Sequence, residues 1–398
     1  MHFEENALQQ PIILIGASVR SAAESAIRGG LRVIGVDSFG DVDCRSAAEE
    51  FHALPKSGVS RQELIATLSR RFPNSPFILV GGFQDDNFLS QVLGSGRHVD
   101  CRQPEVLRLV ADKANIRFPE TTSSTALVSN GRWLEKSLIR TGGLGVRWFD
   151  RQTSGPSASP SSKPNASKTI RQRWIAGRRW GITYLSDGVA AVCLGVCRSL
   201  HTRKAGLPFV YGGSFGPIDL LPSQLQIAND LGQAFVQQSA YAGLFNADVI
   251  VDRDNGVWLL EINLRWTASS ELVEAAMIDQ GILRTGESLF ATALHTSLGW
   301  VTASPGFGAM QQRIAEATKS KSRFRPRLKK IVYASRRVAF CTNRTRQYLT
   351  AAMRIRDIPA QGSNIEEGEP VVSLIVDWQR TRQADLRQAI SSIGSRKV

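Results

Sequence analysis

The sequence predicts a mixed α/β chain, α+β in its larger part, built as three successive units. Three observations predict it. Compact apolar runs at residues 11–16 (PIILIG), 31–36 and 77–81 (FILVG) alternate with a helical stretch, the pattern of a parallel sheet with crossover helices. Long runs at 171–187, 243–252 and 257–262 read as further strands, the last two as a hairpin. The end of the chain turns β-rich again, with strands at 330–340 and 371–377 around the turn-rich 356–370 segment. With 398 residues there is room for two or three domains. The expected division is 1–110, 111–317 and a small basic unit at 327–398, with a probable linker at 318–326.

In the first unit, Ala22, Ala23, Ala26 and Ile27 recur at helical spacing after PIILIG, and Gly29–Gly30 ends the helix. The next strand ends at Asp37. This β-α-β unit is of nucleotide-binding type, but it lacks GxGxxG, since Gly16 is followed by Ala17 and Ser18. A dinucleotide reading would use Asp37 to hold a ribose. Residues 104–113 read as a linking helix. Residues 152–169 are Ser/Pro-rich and too polar to build a core, so an excursion from the fold is expected there. Helices are expected at 221–238 and within 268–298.

Four pieces of the middle unit carry chemistry. In WLLEINLRWTASSE (258–271), Glu261, Asn263 and Arg265 alternate along a strand and share one face. A carboxylate, an amide oxygen and a guanidinium suit a hard cation held against phosphates; the same pattern also describes an edge strand with a solvated polar face. Asp248 lies thirteen residues before Glu261, and Asp254, Asn255 and Gly256 form a turn between them. A hairpin would bring the two carboxylates face to face. Residues 133–146 (WLEKSLIRTGGLGV) place Lys136 on a short strand ahead of Gly142, Gly143 and Gly145. Glycines let backbone amides approach an anion, and lysine adds a point charge, although no Gly-Lys-Ser/Thr P-loop follows. Residues 171–187 carry a strand through Trp174 and Ile175, a turn at Ala176–Gly177, and a second strand that could wall an adenine pocket.

Taken in order, these pieces resemble the ATP-grasp superfamily of carboxylate–amine ligases: lysine strand, glycine loop, hinge strand, acidic strand, then Glu-x-Asn. The resemblance covers roughly residues 108–298, with a fitting Rossmann-like domain before it. It implies ATP and Mg²⁺ (or Mn²⁺) as cofactors, with Lys136 and the loop of Gly142, Gly143 and Gly145 on the ATP phosphates. It implies Trp174 and Ile175 beside adenine, Asp248, Glu261 and Asn263 as metal ligands, and Arg265 steadying an acyl-phosphate. Lys113 resembles a further nucleotide-contacting lysine of some members. Three positions depart from the pattern: Ser137 and Leu264 stand where prolines are usual, and Arg173 stands where the hinge often has Glu. The short IILIGASVR unit, EINLRWTASSE and the small C-terminal unit further resemble ATP-grasp ligases of the tyramine–glutamate ligase, one-carbon-cofactor type. No biotinylation sequence is present. The resemblance implies small-molecule carboxylate and amine substrates.

Composition bounds the alternatives. No apolar run approaches eighteen residues, and MHFEENALQQ has the character of neither a secretory nor a transit peptide, so a cytoplasmic enzyme without membrane partners is expected. Five scattered cysteines, with Cys193 and Cys197 on one face of a strand, are expected to be reduced core residues. The net charge of +14 is concentrated: residues 313–356 hold fourteen Lys/Arg against one acid, Glu316. Such a belt suits an anionic ligand, so a nucleic-acid-binding protein is one rival reading and an NAD(P)-type oxidoreductase using the first unit is another. The five histidines form no cluster. The sequence is silent on oligomeric state.

Overall fold

A computed structural model describes residues 10–55, 58–81, 101, 103–123, 128–150, 169–204, 206–319 and 324–395. The polar start of the chain, the loop opening at Gly82 and the Ser/Pro-rich run up to Lys168 lie outside the described residues.

The first unit is a four-stranded parallel sheet, order β3-β2-β1-β4, of β1 (Ile12–Gly16), β2 (Val33–Asp37), β3 (Glu50–Ala53) and β4 (Phe77–Leu79). Every residue of β1 and β2 is buried, as expected for parallel strands covered on both faces. Helices α1 (Arg20–Arg28), α2 (Val42–Ala47) and α3 (Gly58–Arg71) connect the strands. Gly29 ends α1 where a Cβ would lie 2.5 Å from both Ala291 Cβ and Ser288 Oγ, and Gly30 turns the chain at φ +80°. Asp37 is fully buried and accepts backbone hydrogen bonds from Val19 (2.7 Å), Phe39 (2.7 Å) and Gly40 (2.8 Å). Its oxygens therefore hold the turns beside β1 and β2 rather than facing a ribose.

Helix α4 (Pro104–Lys113) leads into a small antiparallel sheet, order β5-β8-β6-β7. Its strands are β5 (Thr121–Ser123), β6 (Trp133–Ser137), β7 (Val146–Phe149) and β8 (Thr169–Arg173). Residues 174–177 then cross to a second, larger sheet. Trp174 and Ile175, expected on a strand, lie in this connector instead, because the chain changes sheets there.

The larger sheet begins with β9 (Arg178–Asp187), β10 (Ala191–Lys204), β11 (Leu207–Gly216), β12 (Ala242–Val251) and β13 (Val257–Asn263), with α5 (Pro222–Ser239) between β11 and β12. After α6 (Ser270–Asp279), α7 (Leu289–Leu298) and α8 (Phe307–Lys319) come β14 (Arg327–Tyr333), β15 (Val338–Ala339), α9 (Thr342–Arg346), β16 (Met353–Arg356), β17 (Asn364–Ile365), β18 (Pro370–Asp377) and α10 (Gln383–Ser395). The sheet has eight strands in the order β13-β12-β9-β10-β11-β14-β18-β16.

One face of this sheet packs Tyr184, Phe245 and Leu259 against α4 and α5. The Tyr184 and Phe245 rings stack at 4.7 Å, and the Tyr184 hydroxyl donates to the Ala228 carbonyl at 2.7 Å, so the buried phenol is satisfied. The other face packs Leu185, Leu194 and Leu244 against α6, α7 and the alanines of α1. The first unit and the sheet thus share one core.

The C-terminal strands have their own apolar cluster, including Val332, Leu374 and Val376, yet they extend the large sheet, because β14 pairs with β11 from Gly213↔Lys330 to Gly216↔Arg327. Helix α8 runs to Lys319, two residues into the expected linker. A bulge between Cys193 and Gly195 breaks the alternation of β10, so Cys193 packs toward the α5 side and Cys197 toward the α6 side. The expectation that they share a face is corrected by that extra residue. Burial pushes both thiols up to about 12, and none of the five cysteines is in a disulfide.

Part of the basic belt is committed to ion pairs. Arg313 pairs with Glu287, Arg327 with Asp279, Lys329 with Glu271 and Arg356 with Glu24, while Arg337 pairs with Glu366 at the surface. At the junction of the units, Arg20 has no solvent exposure. It donates to both Glu271 oxygens (2.6 and 3.1 Å), to Glu24 (3.0 Å) and to Asp357 Oδ1 (2.9 Å). Lys329 Nζ donates to Glu271 Oε2 at 2.7 Å. Among the described residues no helix is long and apolar enough to cross a membrane.

Candidate functional site

The hairpin of β12 and β13 forms as its turn residues require. Asp252 Oδ1 accepts from the backbone of Asp254 (3.0 Å) and Gly256 (2.7 Å), with Asn255 at φ +62°. The resulting register sets Asp248 directly opposite Glu261 and Asn246 opposite Asn263. A bulge follows, since Val249 pairs with Leu259 and leaves Leu260 as the extra residue.

Asn263 Nδ2 donates to Asp248 Oδ2 and to Glu261 Oε1, both at 3.2 Å. Arg265 Nη2 donates to Asn263 Oδ1 at 3.1 Å. All four side chains line a cavity of about 400 Å³ between the small and large sheets. Gly181, paired with Asp248 on β9, makes room for it: a Cβ there would lie 3.3 Å from Asp248 Oδ1.

Lys136 enters the same cavity from β6 and is held by Gln172 Oε1 at 3.0 Å; Gln172 Nε2 in turn donates to Thr121 Oγ1 at 3.1 Å. The glycine loop between β6 and β7 reaches across to the larger sheet. Gly142 and Gly143 have φ of +63° and +76°, and the Gly142 carbonyl accepts from Tyr211 N at 2.9 Å. At Gly143 a Cβ would lie 1.8 Å from the Phe209 carbonyl oxygen, so only glycine permits this approach. Both line the cavity. Gly145 does not; it closes the loop on itself, where a Cβ would lie 2.8 Å from the Cβ atoms of Ser137 and Arg140. Trp174 and Ile175 line the cavity from the connector, and Trp174 meets Trp148 edge-on at 5.7 Å with Arg132 over both rings. Lys113 is exposed at the end of α4 and is not among the cavity-lining residues.

The electrostatics follow from enclosure. Burial pushes the Asp248 carboxyl up, and Glu261 beside it pushes it further. Burial acts on Glu261 in the same direction, but Lys136, with the bonds to Asp248 and Asn263 and the charge of Arg265, outweighs it and holds Glu261 below the usual carboxylate range. Glu261 still touches the solvent that fills the cleft, while atoms of both lobes surround it. The pair therefore carries less than two full negative charges until a cation joins it. Burial lowers Lys136, and Arg179 adds to that, against the two carboxylates.

Two carboxylates and an amide oxygen are a hard donor set, with no third acid or histidine completing a cluster among the described residues. Such a set fits a divalent cation whose remaining positions are filled by phosphate oxygens and water, once the Asn263 amide presents its oxygen.

Several cavity residues were not anticipated from sequence. Arg179 sits on β9 with its guanidinium 4.3 Å over the Phe209 ring. His201 on β10 is lowered to about 4 by burial and by Arg179, so it is neutral at pH 7. Gln172, Asn246 and Lys329 add to the polar lining. The alternation of RRWGITYL places Arg179 on the Gly181 face and was the one available signal.

With this geometry in place, the comparisons are specific. Residues 107–269 match the ATP-grasp domain family. The chain carries an ATP-grasp domain. Among solved structures it is similar over nearly its whole length to the L-amino acid ligase from Bacillus licheniformis: TM-score 0.66, 13% identity, 97% of this chain and 98% of that one. It is equally similar to N5-carboxyaminoimidazole synthase from Aspergillus clavatus, solved with ADP and 5-aminoimidazole ribonucleotide: TM-score 0.66, 12% identity, 97% and 99% covered. A biotin carboxylase subunit of pyruvate carboxylase aligns with TM-score 0.55 at 12% identity over 92% and 86%. At these identities the likeness defines the fold. Comparison with curated proteins finds no significant sequence match.

Proposed function

We propose that this protein is an ATP- and Mg²⁺-dependent ligase that joins a carboxylate to an amine. The observation that carries the reading is the Asp248–Glu261 pair, bridged by Asn263 and facing Lys136 across a cleft that the Gly142–Gly143 loop spans. The ligase relatives of the same fold support it.

A substrate carboxylate oxygen takes the γ-phosphoryl group of ATP with release of ADP, and an amine then displaces phosphate to give the amide and a proton. Asp248, Glu261 and Asn263 would hold Mg²⁺, which would supply charge neutralisation to the phosphates. Lys136, oriented by Gln172, places its ammonium on the phosphates. The backbone amides of the glycine loop close over them, and Trp174 with Ile175 walls the base. The carboxylate attacks already ionised, so the residues supply position and charge rather than a general base. Arg265, tied to Asn263, steadies the transferred phosphoryl group. Enclosure between the lobes keeps water from the acyl-phosphate.

The test is ADP release by the purified protein with ATP, Mg²⁺ and pools of amino acids and small carboxylates. Substrate-dependent release that EDTA removes is expected; failure to bind ATP would overturn the reading. A narrower prediction concerns the loop. Gly143→Ala puts a methyl against the Phe209 carbonyl and strains a left-handed residue. It should raise the KM for ATP roughly tenfold or more, since such strain costs about 1–3 kcal/mol and 1.4 kcal/mol is tenfold. An unchanged KM in steady-state kinetics would show that the loop does not close on the nucleotide.

A further inference from the structure

One stretch of the cavity wall takes no part in the scheme above. It is built by Ser18 in the turn after β1, Ser21 in the first turn of α1, the segment after β13 (Thr267, Ser269), Lys329 on β14, and Asp357 just beyond β16. Its lining is hydroxyl-rich, with one cation and one acid.

Asp357 is held there against its backbone preference. Its φ is +54°, and Asp43 fixes it by accepting from the backbone N–H of Asp357 and of Ile358, both at 2.9 Å. Its Oδ1 accepts from Arg20 Nε (2.9 Å) and from Ser18 Oγ (3.4 Å); among the described residues no hydrogen bond reaches Oδ2. A strained acid residue on the cavity wall, with its second carboxylate oxygen open rather than bonded within the protein, offers that oxygen to a donor.

The charges say which kind. Three cations, Arg20, Lys329 and Arg356, are paired within this network against four carboxylates, Glu24, Asp43, Glu271 and Asp357. One negative charge is left over. Arg20 is fully buried behind the wall, and Lys329 is committed to Glu271 at 2.7 Å. A phosphate here would meet Asp357 with no unpaired guanidinium to receive it, whereas an ammonium would complete the balance. Burial would raise the Asp357 carboxyl, but Arg20 and Lys329 hold it below its ordinary range, so it is ionised at neutral pH.

Resting on the ligase reading, we infer that the substrate is an unphosphorylated aminocarboxylate whose ammonium group pairs with Asp357 while its carboxylate faces Arg265. The surrounding serine and threonine hydroxyls supply the remaining hydrogen bonds.

The experiment measures ADP release with ATP, Mg²⁺ and three pools: free L-amino acids, the matching 2-hydroxy acids, and phosphorylated amino sugars. Amino acids should drive release, the other two should not. Asp357→Asn and Asp357→Gly should each raise the KM for the amino acid roughly tenfold or more, the scale of a lost hydrogen bond to a charged group, with the KM for ATP unchanged. Glycine suits a φ of +54° without strain, so the second variant keeps the backbone. Release driven equally by hydroxy acids or by phosphorylated amines, or an amino-acid KM that both variants leave alone, would overturn the inference and leave the ligase reading standing. Release from no pool would overturn the inference, and failure to bind ATP as well would overturn both.

Discussion

Glu261→Gln is expected to abolish substrate-dependent ADP release, with kcat lowered by about 10²–10³-fold or more, while the protein stays folded. Gln is nearly isosteric and can keep a bond to Asn263, so the hairpin register of Asp248 with Glu261 survives. What is lost is one negative charge from a pair of facing carboxylates. In the wild type Glu261 pushes Asp248 toward its protonated form. Removing that repulsion eases ionisation of Asp248, which burial still opposes, so thermal stability should hold or rise slightly even as turnover fails. Loss of activity with unchanged or increased melting temperature separates a cation-holding role from a structural one. Retained turnover would remove Glu261 from the metal set.

The second large effect is on stability. Glu271→Gln should destabilise the protein by about 3–5 kcal/mol, because it leaves Lys329 buried without its counter-charge and takes from Arg20 its two-oxygen partner, although Glu24 and Asp357 remain beside Arg20. The effect should depend on pH in a defined direction. Burial alone would raise the Glu271 carboxyl; Arg20 and Lys329 outweigh it and hold it far below the ordinary range. A depressed carboxyl contributes stability that is fully present above its unfolded value of about 4.3 and is lost as pH falls toward the folded value. Denaturant unfolding at pH 7 should therefore show the full difference between wild type and variant, and unfolding below about pH 4 a shrinking one. A difference that grew on acidification would contradict the pairing.

What could be read from the chain, and what could not, divides along physical lines. The Asp248–Glu261 pairing was legible because a turn and two alternating strands are local, and local chemistry fixes the register. Lys136 and Gly142–Gly143 were legible for the same reason. Gln172, Arg179 and Lys329 were not, because each reaches the cavity from a different strand and only tertiary pairing brings them together. Asp357 was hidden for a stronger reason: its neighbours Ser18 and Arg20 lie more than three hundred residues away. Strand β3, EFHA, is only partly buried and carries no apolar run to announce it. The bulge at Cys193–Gly195 reverses a face that simple alternation assigns, since one extra residue shifts every later side chain.

The order of strands in the large sheet bears on how this protein is made. Strand β18 lies between β14 and β16, both of which precede it in the chain, and it is the only one of the three added near the end. During N-to-C synthesis the ribosome must release Pro370–Asp377 before Arg327–Tyr333 gains its second neighbour. Until then the strand carrying Lys329 has one edge open, and Asp357, though already translated, lies beyond a β16 that has no sheet partner to seat it. The last tenth of the chain is thus a condition for finishing a cleft whose other walls were translated long before.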